Sequence, residues 1–316
     1  AASDVYKRQL QEARAALLAA KEHSDLPVLV TMTYEATGRT FLGCSPACAA
    51  LTLEGLGADA IGVNCSLGPR EMPPLVEELL KWTTLPIVLK PNAGLPRPDG
   101  SGYDISPEEF AHSLAALADL GVQVFGGCCG TTPAHMAALR TLIDNHTPSP
   151  RHRKPSMSVT SAQTVVDLPC DGHKIAVIGE RINPTGKKRL QQALREGDSA
   201  YACAQAVAQA EAGAELLDVN AGLPDIDEPA TLEMLVRELQ SITDLPLQLD
   251  SSNKDALARA LRIYNGKPIV NSVNGEQKVL DSILPLCKKY GAAVVGLALD
   301  EHGIPCLLYT SPSPRD

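Results

Sequence analysis

The stretch from Val122 to His135, VQVFGGCCGTTPAH, contains three features that together decide the fold. Its apolar run, Val122 to Cys128, has the composition of a buried β-strand. Glycines on both sides of two adjacent cysteines indicate a sharp turn. Thr132 followed by Pro133 is typical of the start of an α-helix, because threonine caps the first turn and proline fits its first position. The stretch therefore predicts a strand–turn–helix unit with two thiols at the end of the strand.

The same strand–helix pattern repeats along both halves of the chain. In the first half, the predicted strands are Pro27–Tyr34, Ala60–Cys65, Pro86–Asn92 and Val122–Cys128, and the helices are Pro46–Gly55, Met72–Trp82, Pro107–Leu120 and Pro133–Ile143. In the second half, the strands are Ile175–Gly179, Glu215–Val219, Leu245–Asp250, Pro268–Val273 and Ala292–Leu299, and the helices are Ala200–Ala212, Thr231–Ser241, Lys254–Ile263 and Val279–Tyr290. Strands that alternate with helices form parallel sheets, so an α/β fold is predicted.

The strand count bounds the architecture. About four strands in the first half and five in the second do not complete an eight-stranded barrel in either half. A doubly wound open sheet is an alternative, although no Gly-x-Gly-x-x-Gly motif follows a strand. In both folds, the chemistry belongs at the carboxyl ends of the strands.

The composition changes between the two halves. Residues 146–173 contain four prolines and a basic run, Arg151–Lys154, and we expect an interdomain linker there. The predicted domains are therefore residues 10–145 and 174–305. Residues 1–9 and 306–316 resemble translated library-adapter sequence, so we expect both ends to be non-native and the chain to be a fragment.

Charge and hydropathy exclude several classes of function. A net charge of −9 disfavours nucleic acid as a partner, because a protein needs cationic side chains to neutralise phosphates. No apolar run reaches the roughly 20 residues that span a membrane, and the first residues do not resemble a secretory signal. We therefore expect a cytoplasmic protein that contacts no membrane.

Three of the nine cysteines follow apolar runs, namely Cys65, Cys128 and Cys129. Three thiolates suit a catalytic zinc site, in which a fourth position stays open for a substrate thiol. The alternative is an adjacent cysteine pair in a buried strand end with Cys65 unrelated, and spacing alone leaves both interpretations open. The other six are interpreted as small buried or loop residues: Cys44, Cys48, Cys170, Cys203, Cys287 and Cys306.

Polar side chains end four successive strands of the second half. They are Asn183, Asp218, Asn220, Asp250 and Asn271. Carboxylates and amides together can pair with the donors and acceptors along the edge of a flat heterocycle such as a pterin. Each residue alone is more simply interpreted as a helix cap, but four strand ends in register favour a ligand site.

The strings GVNCSLGP, KPNAGLP and GGCCGTTPAH resemble the second half of the homocysteine-binding barrel of the cobalamin-dependent methionine synthase family. The resemblance covers about Pro27–Asn145. It implies that Cys65, Cys128 and Cys129 are zinc ligands and that homocysteine is the thiol substrate. Asn64 and Asn92 lie beside these strand ends and are candidates for binding the amino acid part of homocysteine, with strand-end capping as the alternative. His112 and His135 lie on predicted helices, where a solvated or hydrogen-bonded role is the simpler interpretation.

The strings IGERINPTGKK, LLDVNAG, LDSS and IVNSVNGE resemble the first four strand ends of the pterin-binding barrel of methyltetrahydrofolate methyltransferases. The resemblance covers about Ile175–Pro305. It implies that Asp250 and Asn271 contact the pterin, with Asp218, Asn220 and Asn183 nearby. Dihydropteroate synthase shares this barrel, but the order of the two domains disfavours it.

Together the two resemblances imply two tandem (β/α)8-type TIM barrels, each incomplete in this chain. The implied activity moves a methyl group from methyltetrahydrofolate, by way of methylcobalamin on a separate cobalamin-binding domain, to zinc-bound homocysteine. No Asp-x-His-x-x-Gly motif for a cobalamin ligand occurs in the chain. Two alternatives are an inactive fragment that binds zinc and pterin, and a homocysteine methyltransferase with a non-folate donor.

Overall fold

The computed structural model describes residues 9–65, 67–98, 100, 102–144, 146–147, 157–168 and 174–304. The chain divides into two compact units, Ala1–Pro155 and Ser156–Asp316. Each unit contains a parallel sheet with helices between its strands, so the α/β class predicted from the sequence is confirmed. Among the described helices, none combines the length and the apolar character that crossing a bilayer requires.

The first unit is a four-stranded parallel sheet in the order β1-β2-β3-β4. In chain order its elements are α1 Gln9–His23, β1 Leu29–Met32, α2 Pro46–Gly55, β2 Ala60–Asn64, α3 Met72–Trp82, β3 Ile87–Lys90, α4 Pro107–Asp119, β4 Val124–Phe125 and α5 Pro133–Ile143. Aliphatic side chains such as Ile61, Val63 and Leu89 fill the sheet and are almost fully buried. The pairs Val63↔Leu89 and Leu89↔Phe125 align the carboxyl ends of β2, β3 and β4 along one edge.

Helix starts in the first unit follow the chemistry expected from the sequence. The Ser45 hydroxyl accepts a hydrogen bond from the Cys48 N–H at 3.2 Å, and proline occupies the next position. Ser106 does the same for Glu109 at 3.2 Å, again before a proline. These caps satisfy donors that a helix leaves unpaired, which explains why the predicted and observed starts agree.

The second unit is a five-stranded parallel sheet in the order β7-β8-β9-β10-β11, with a separate hairpin, β5-β6. Its elements are β5 Met157–Thr160, β6 Val165–Leu168, β7 Ile178–Ile182, α6 Lys188–Glu196, α7 Ala200–Glu211, β8 Leu216–Asn220, α8 Glu228–Ile242, β9 Leu247–Asp250, α9 Lys254–Ile263, β10 Ile269–Val273, α10 Gln277–Tyr290 and β11 Ala293–Gly296. The strand β7 begins and ends three residues later than the sequence predicts.

The segment expected to be a linker, 146–173, differs from expectation within its described residues, because residues 157–168 form an antiparallel hairpin. Val159 and Val166 of the hairpin are buried against Leu216 and Ile269, the first residues of β8 and β10. The Tyr264 hydroxyl donates to the Thr160 carbonyl at 2.8 Å. The hairpin therefore covers the amino end of the second sheet. Its basic run and flanking prolines lie outside the described residues.

Candidate functional site

The structure brings the three predicted thiol ligands together. Cys65 directly follows β2, and Cys128 and Cys129 follow β4, so all three lie at the aligned carboxyl edge of the first sheet. Their sulfur atoms all lie within 4.8 Å of one another. The Cys128 and Cys129 sulfurs are 4.0 Å apart, and Cys65 and Cys128 are joined as a disulfide. A metal-binding form of this cluster therefore has all three cysteines reduced.

Unusual backbone conformations shape the loops that carry these cysteines. Cys65 has a φ of +57°, a left-handed conformation that costs a non-glycine residue about 1–2 kcal/mol. Gly130, with a φ of +78°, lies against the ring of Tyr103, where an added β-carbon would collide. Glycine at position 130 therefore permits both the turn after the cysteine pair and the close approach of Tyr103.

Main-chain hydrogen bonds tie the cysteine pair to the loop after β3. The Cys128 N–H donates to the Pro91 carbonyl at 2.9 Å, and the Cys129 N–H donates to Asn92 Oδ1 at 3.1 Å. The Asn92 side-chain oxygen thus holds the cysteine loop in place. Asn64, the last residue of β2, lies beside Cys65 and is half-buried. The predicted contacts of both asparagines with a substrate stay predictions.

The remaining described cysteines differ from the cluster in their electrostatics. Burial raises the pKa of the Cys44, Cys48 and Cys287 thiols, which therefore stay protonated and behave as small apolar residues. Cys203 is half-buried, and burial raises its thiol pKa as well. Cys129, by contrast, is exposed. Cys170 and Cys306 lie outside the described residues.

The predicted polar residues of the second unit converge at the carboxyl edge of its sheet. Strand register places Asn220 beside Asp250 and Asn271 beside Asp250 on its other side. Asp250 Oδ2 accepts hydrogen bonds from Asn220 Nδ2 at 2.9 Å and from Asn183 Nδ2 at 3.4 Å. Four of the five predicted pterin-site residues therefore lie together: Asp250 supplies the carboxylate, and Asn183, Asn220 and Asn271 lie around it.

Asp218 lies on β8 beside Gln248, two residues before the Asn220–Asp250 pair, and is buried. Its Oδ1 accepts a hydrogen bond from Gln248 Nε2 at 2.6 Å. Burial raises the pKa of Asp218 to about 6; the Gln248 donor opposes the shift, and the charges of Asp250 and Glu180 add to it. Asp218 therefore exchanges a proton near neutral pH, unlike an ordinary surface aspartate.

Sequence reasoning missed two features that hold this site. Gln248 lies two residues before Asp250, so strand alternation places both side chains on one face of β9, and this spacing was the available signal. Glu228, at the start of α8, accepts hydrogen bonds from Ser251 Oγ at 2.5 Å and from Asn253 Nδ2 at 3.4 Å. Glu228 joins the loops after β8 and β9, a contact that no local pattern indicates.

Comparison with known proteins gives two family matches. Residues 7–143 match the model described as homocysteine S-methyltransferase, and residues 179–305 match the model described as pterin binding enzyme. The two matches correspond to the two halves of the chain that carry the thiol and the carboxylate–amide clusters.

Two curated relatives align across both halves. The chain is 35% identical over 298 residues to "Methionine synthase" of Mycobacterium tuberculosis (strain ATCC 25618 / H37Rv). It is also 35% identical over 303 residues to "Methionine synthase" of Mycobacterium leprae (strain TN). Each alignment covers 92% of this chain and 25% of the relative, so the chain spans about a quarter of the length of these proteins.

One solved structure aligns with most of this chain, but at a low score. The carboxyl transferase domain of Rhizobium etli pyruvate carboxylase with pyruvate aligns with 97% of this chain and 47% of that chain, at 14% identity and a TM-score of 0.26. A score this low supports no inference about fold or function.

Proposed function

We propose that this chain, a relative of the methionine synthases, is the part of a methyltransferase that holds homocysteine on zinc and binds methyltetrahydrofolate at a second site. The two family matches support the pairing of these substrates. The observation that carries the proposal is the convergence of three sulfurs, from two separate strand ends, within 4.8 Å.

In this proposal Cys65, Cys128 and Cys129 hold the zinc ion as thiolates. Three protein sulfurs leave one tetrahedral position for a substrate thiol, and bound zinc supplies the deprotonation of that thiol to a nucleophilic thiolate. The helix α5 begins four residues after Cys129, and the positive end of its dipole favours negative charge on the sulfurs. Asn64 and Asn92 flank the cluster and are proposed to bind the amino acid part of homocysteine.

The carboxylate–amide cluster of the second unit is proposed to bind the pterin ring. Asp250 and Asn271 contact the ring directly, and Asn183 and Asn220 orient the Asp250 carboxylate through the hydrogen bonds to its Oδ2. Asp218 lies beneath them and adds a group that can carry a proton. Methylcobalamin, bound by a cobalamin-binding domain outside this chain, is the proposed carrier of the methyl group between the two substrates.

The sheets of four and five parallel strands support two tandem (β/α)8 TIM barrels, each represented here in part. The proposed domains are residues 10–145 and 174–305, and the hairpin of residues 157–168 packs with the second. Of the ends predicted to be non-native, residues 1–9 and 306–316, all except residue 9 lie outside the described residues, and this stays a prediction.

The test uses the full chain, reduced with a thiol-free reductant and then loaded with zinc. We expect one zinc ion per chain and a change in its sulfur coordination, measured by X-ray absorption, when homocysteine is added. Methyltetrahydrofolate is expected to bind the same preparation, as measured by calorimetry. Reduced, folded protein that binds no zinc would contradict the thiolate site, and zinc binding without transfer from methylcobalamin would identify an inactive fragment.

A further inference from the structure

A ring of hydrogen bonds surrounds the cysteine pair of the first unit. The Ala93 N–H donates to the Cys129 carbonyl at 2.9 Å, and the Ile105 N–H donates to the Ala93 carbonyl at 3.1 Å. These bonds join the turn after β4 to the loop between β3 and α4. A closed ring requires one further contact, between Ile105 and the turn that contains Cys128 and Cys129.

His135 closes the ring. Its Nε2 lies 3.2 Å from the Ile105 carbonyl oxygen, and its Nδ1 lies 3.2 Å from the Thr132 nitrogen and 2.9 Å from Thr132 Oγ1. A carbonyl only accepts and a backbone N–H only donates, so Nε2 carries the hydrogen and Nδ1 is the acceptor. Thr132 lies three residues after Cys129, and the two nitrogens of one imidazole therefore link both loops.

The surroundings of His135 fix this orientation. Only 6% of the residue is exposed, and its ring packs edge-on to Phe110 with a centroid distance of 5.3 Å. His112, on the neighbouring helix, is exposed, and among the described residues its hydrogen bond stays within that helix, to the Glu108 carbonyl at 2.8 Å. The two helical histidines thus have different environments, and His112 serves as a matched control.

We propose that His135 is a positioning residue for the metal site, holding the cysteine turn against the β3–α4 loop so that the Cys129 sulfur faces Cys65 and Cys128. This inference rests on the proposed zinc function. Helix capping alone does not need histidine, because glutamine or glutamate at this position caps the same N–H. Histidine differs from an ionised glutamate in that its second nitrogen simultaneously donates to the Ile105 carbonyl, 30 residues away.

The test compares His135→Glu with His112→Glu in the reduced full chain. Glutamate retains the helix cap, because its carboxylate accepts from the Thr132 N–H, and an ionised carboxylate has no hydrogen to donate to the Ile105 carbonyl. We expect His135→Glu to weaken zinc binding by roughly 10- to 100-fold, as measured by competition with a chromophoric chelator, because partners that orient metal ligands have effects of this size. The cobalt(II) form should show a weakened thiolate charge-transfer band, and His112→Glu should bind as the unsubstituted chain does.

A metal-independent measurement separates this proposal from the zinc proposal. In reduced, metal-free protein, the amide hydrogens of Cys129 and Ala93 should exchange faster in His135→Glu than in His112→Glu. If the unsubstituted chain binds no zinc, the zinc function fails, while faster exchange would still support the positioning role. Unchanged exchange and unchanged zinc affinity in His135→Glu would overturn the positioning role.

Nitrogen-15 NMR of the unsubstituted chain decides the matter if His135→Glu does not fold. A neutral imidazole protonated on Nε2 is the expected result. A hydrogen on Nδ1 would leave no acceptor for the Thr132 N–H and would overturn the proposal.

Discussion

The thiol cluster and the carboxylate–amide cluster occupy the same edge of two similar sheets, yet they are held in different ways. The cysteines lie in loops just beyond the strands, and backbone hydrogen bonds from neighbouring loops fix their positions. Asp218, Asn220 and Asp250 lie within the strands, where register and side-chain hydrogen bonds fix them. A strand thus positions a side chain through its own register, whereas a loop residue needs additional hydrogen bonds from neighbouring loops.

The contrast between the two clusters would fail if the thiol cluster still bound zinc after the loss of one sulfur. Cys128→Ser should reduce zinc affinity by more than the roughly 100-fold upper effect of an orienting partner, because a ligand itself is removed. Zinc content after dialysis against a chelator measures this. Cys203→Ser is the control, since Cys203 is a half-buried helical cysteine distant in sequence from the cluster. Equal zinc content in the two variants would contradict the assignment.

Asp250→Asn tests whether the strand-held cluster binds ligand through its carboxylate. A hydrogen bond to a charged group contributes about 1.5–3 kcal/mol, so methyltetrahydrofolate should bind roughly 10- to 150-fold more weakly. Calorimetric titration gives the dissociation constant. Asp281→Asn, on the exposed face of α10, provides the same chemical change outside the site and should leave binding unchanged. Full affinity in Asp250→Asn would indicate another pterin contact.

Asp218 adds a pH dependence to the carboxylate–amide cluster. Its pKa rises from an ordinary 3.8 to about 6 in the folded chain, so the folded state binds more protons than the unfolded state between these values. Its contribution to stability is therefore present below about pH 4 and is lost as the pH rises through about 6. Hydrogen exchange of β8 and β9 amides should show this loss in the unsubstituted chain relative to Asp218→Asn. Parallel pH profiles for the two proteins would contradict the shifted carboxyl.

The smallest expected effect concerns Glu228, which joins two loops of the second unit. Glu228→Gln weakens the hydrogen bonds from Ser251 and Asn253 by removing the charge, and the expected loss of local stability is about 1 kcal/mol. Amide exchange in residues 251–253 should quicken, while exchange in β9 itself stays unchanged. Glu196→Gln, at the exposed end of α6, is the control. Equal acceleration in β9 would show that Glu228 supports the strand as well.

Much of the fold follows from local sequence chemistry. Helices that begin after Ser45 and Ser106 were predicted correctly because capping residue and proline act within one turn. The hairpin of residues 157–168 was missed because its stability depends on Leu216, Tyr264 and Ile269, which are distant in sequence. Short strands near prolines carry no local signal strong enough to distinguish them from a linker.

The candidate site was predictable to a similar extent. Convergence of Cys65 with the Cys128–Cys129 pair follows from parallel topology, since the carboxyl ends of the strands share an edge. The tie from His135 to Ile105 was not predictable, because its acceptor is a backbone carbonyl that every residue possesses. Strand alternation could have indicated Gln248 as a site residue, because it lies two residues before Asp250 on the same face of β9.

The β5–β6 hairpin has a practical consequence for dissecting the chain. Because Val159 and Val166 cover Leu216 and Ile269 at the amino end of the second sheet, an excised second unit that starts at β7 would expose these two residues to water. The exposed apolar residues would favour aggregation, whereas a chain cut before Met157 retains the β5–β6 hairpin that covers them. The boundary between the two units therefore lies before the hairpin, between Pro155 and Ser156, and either unit is best expressed alone from a cut at this position.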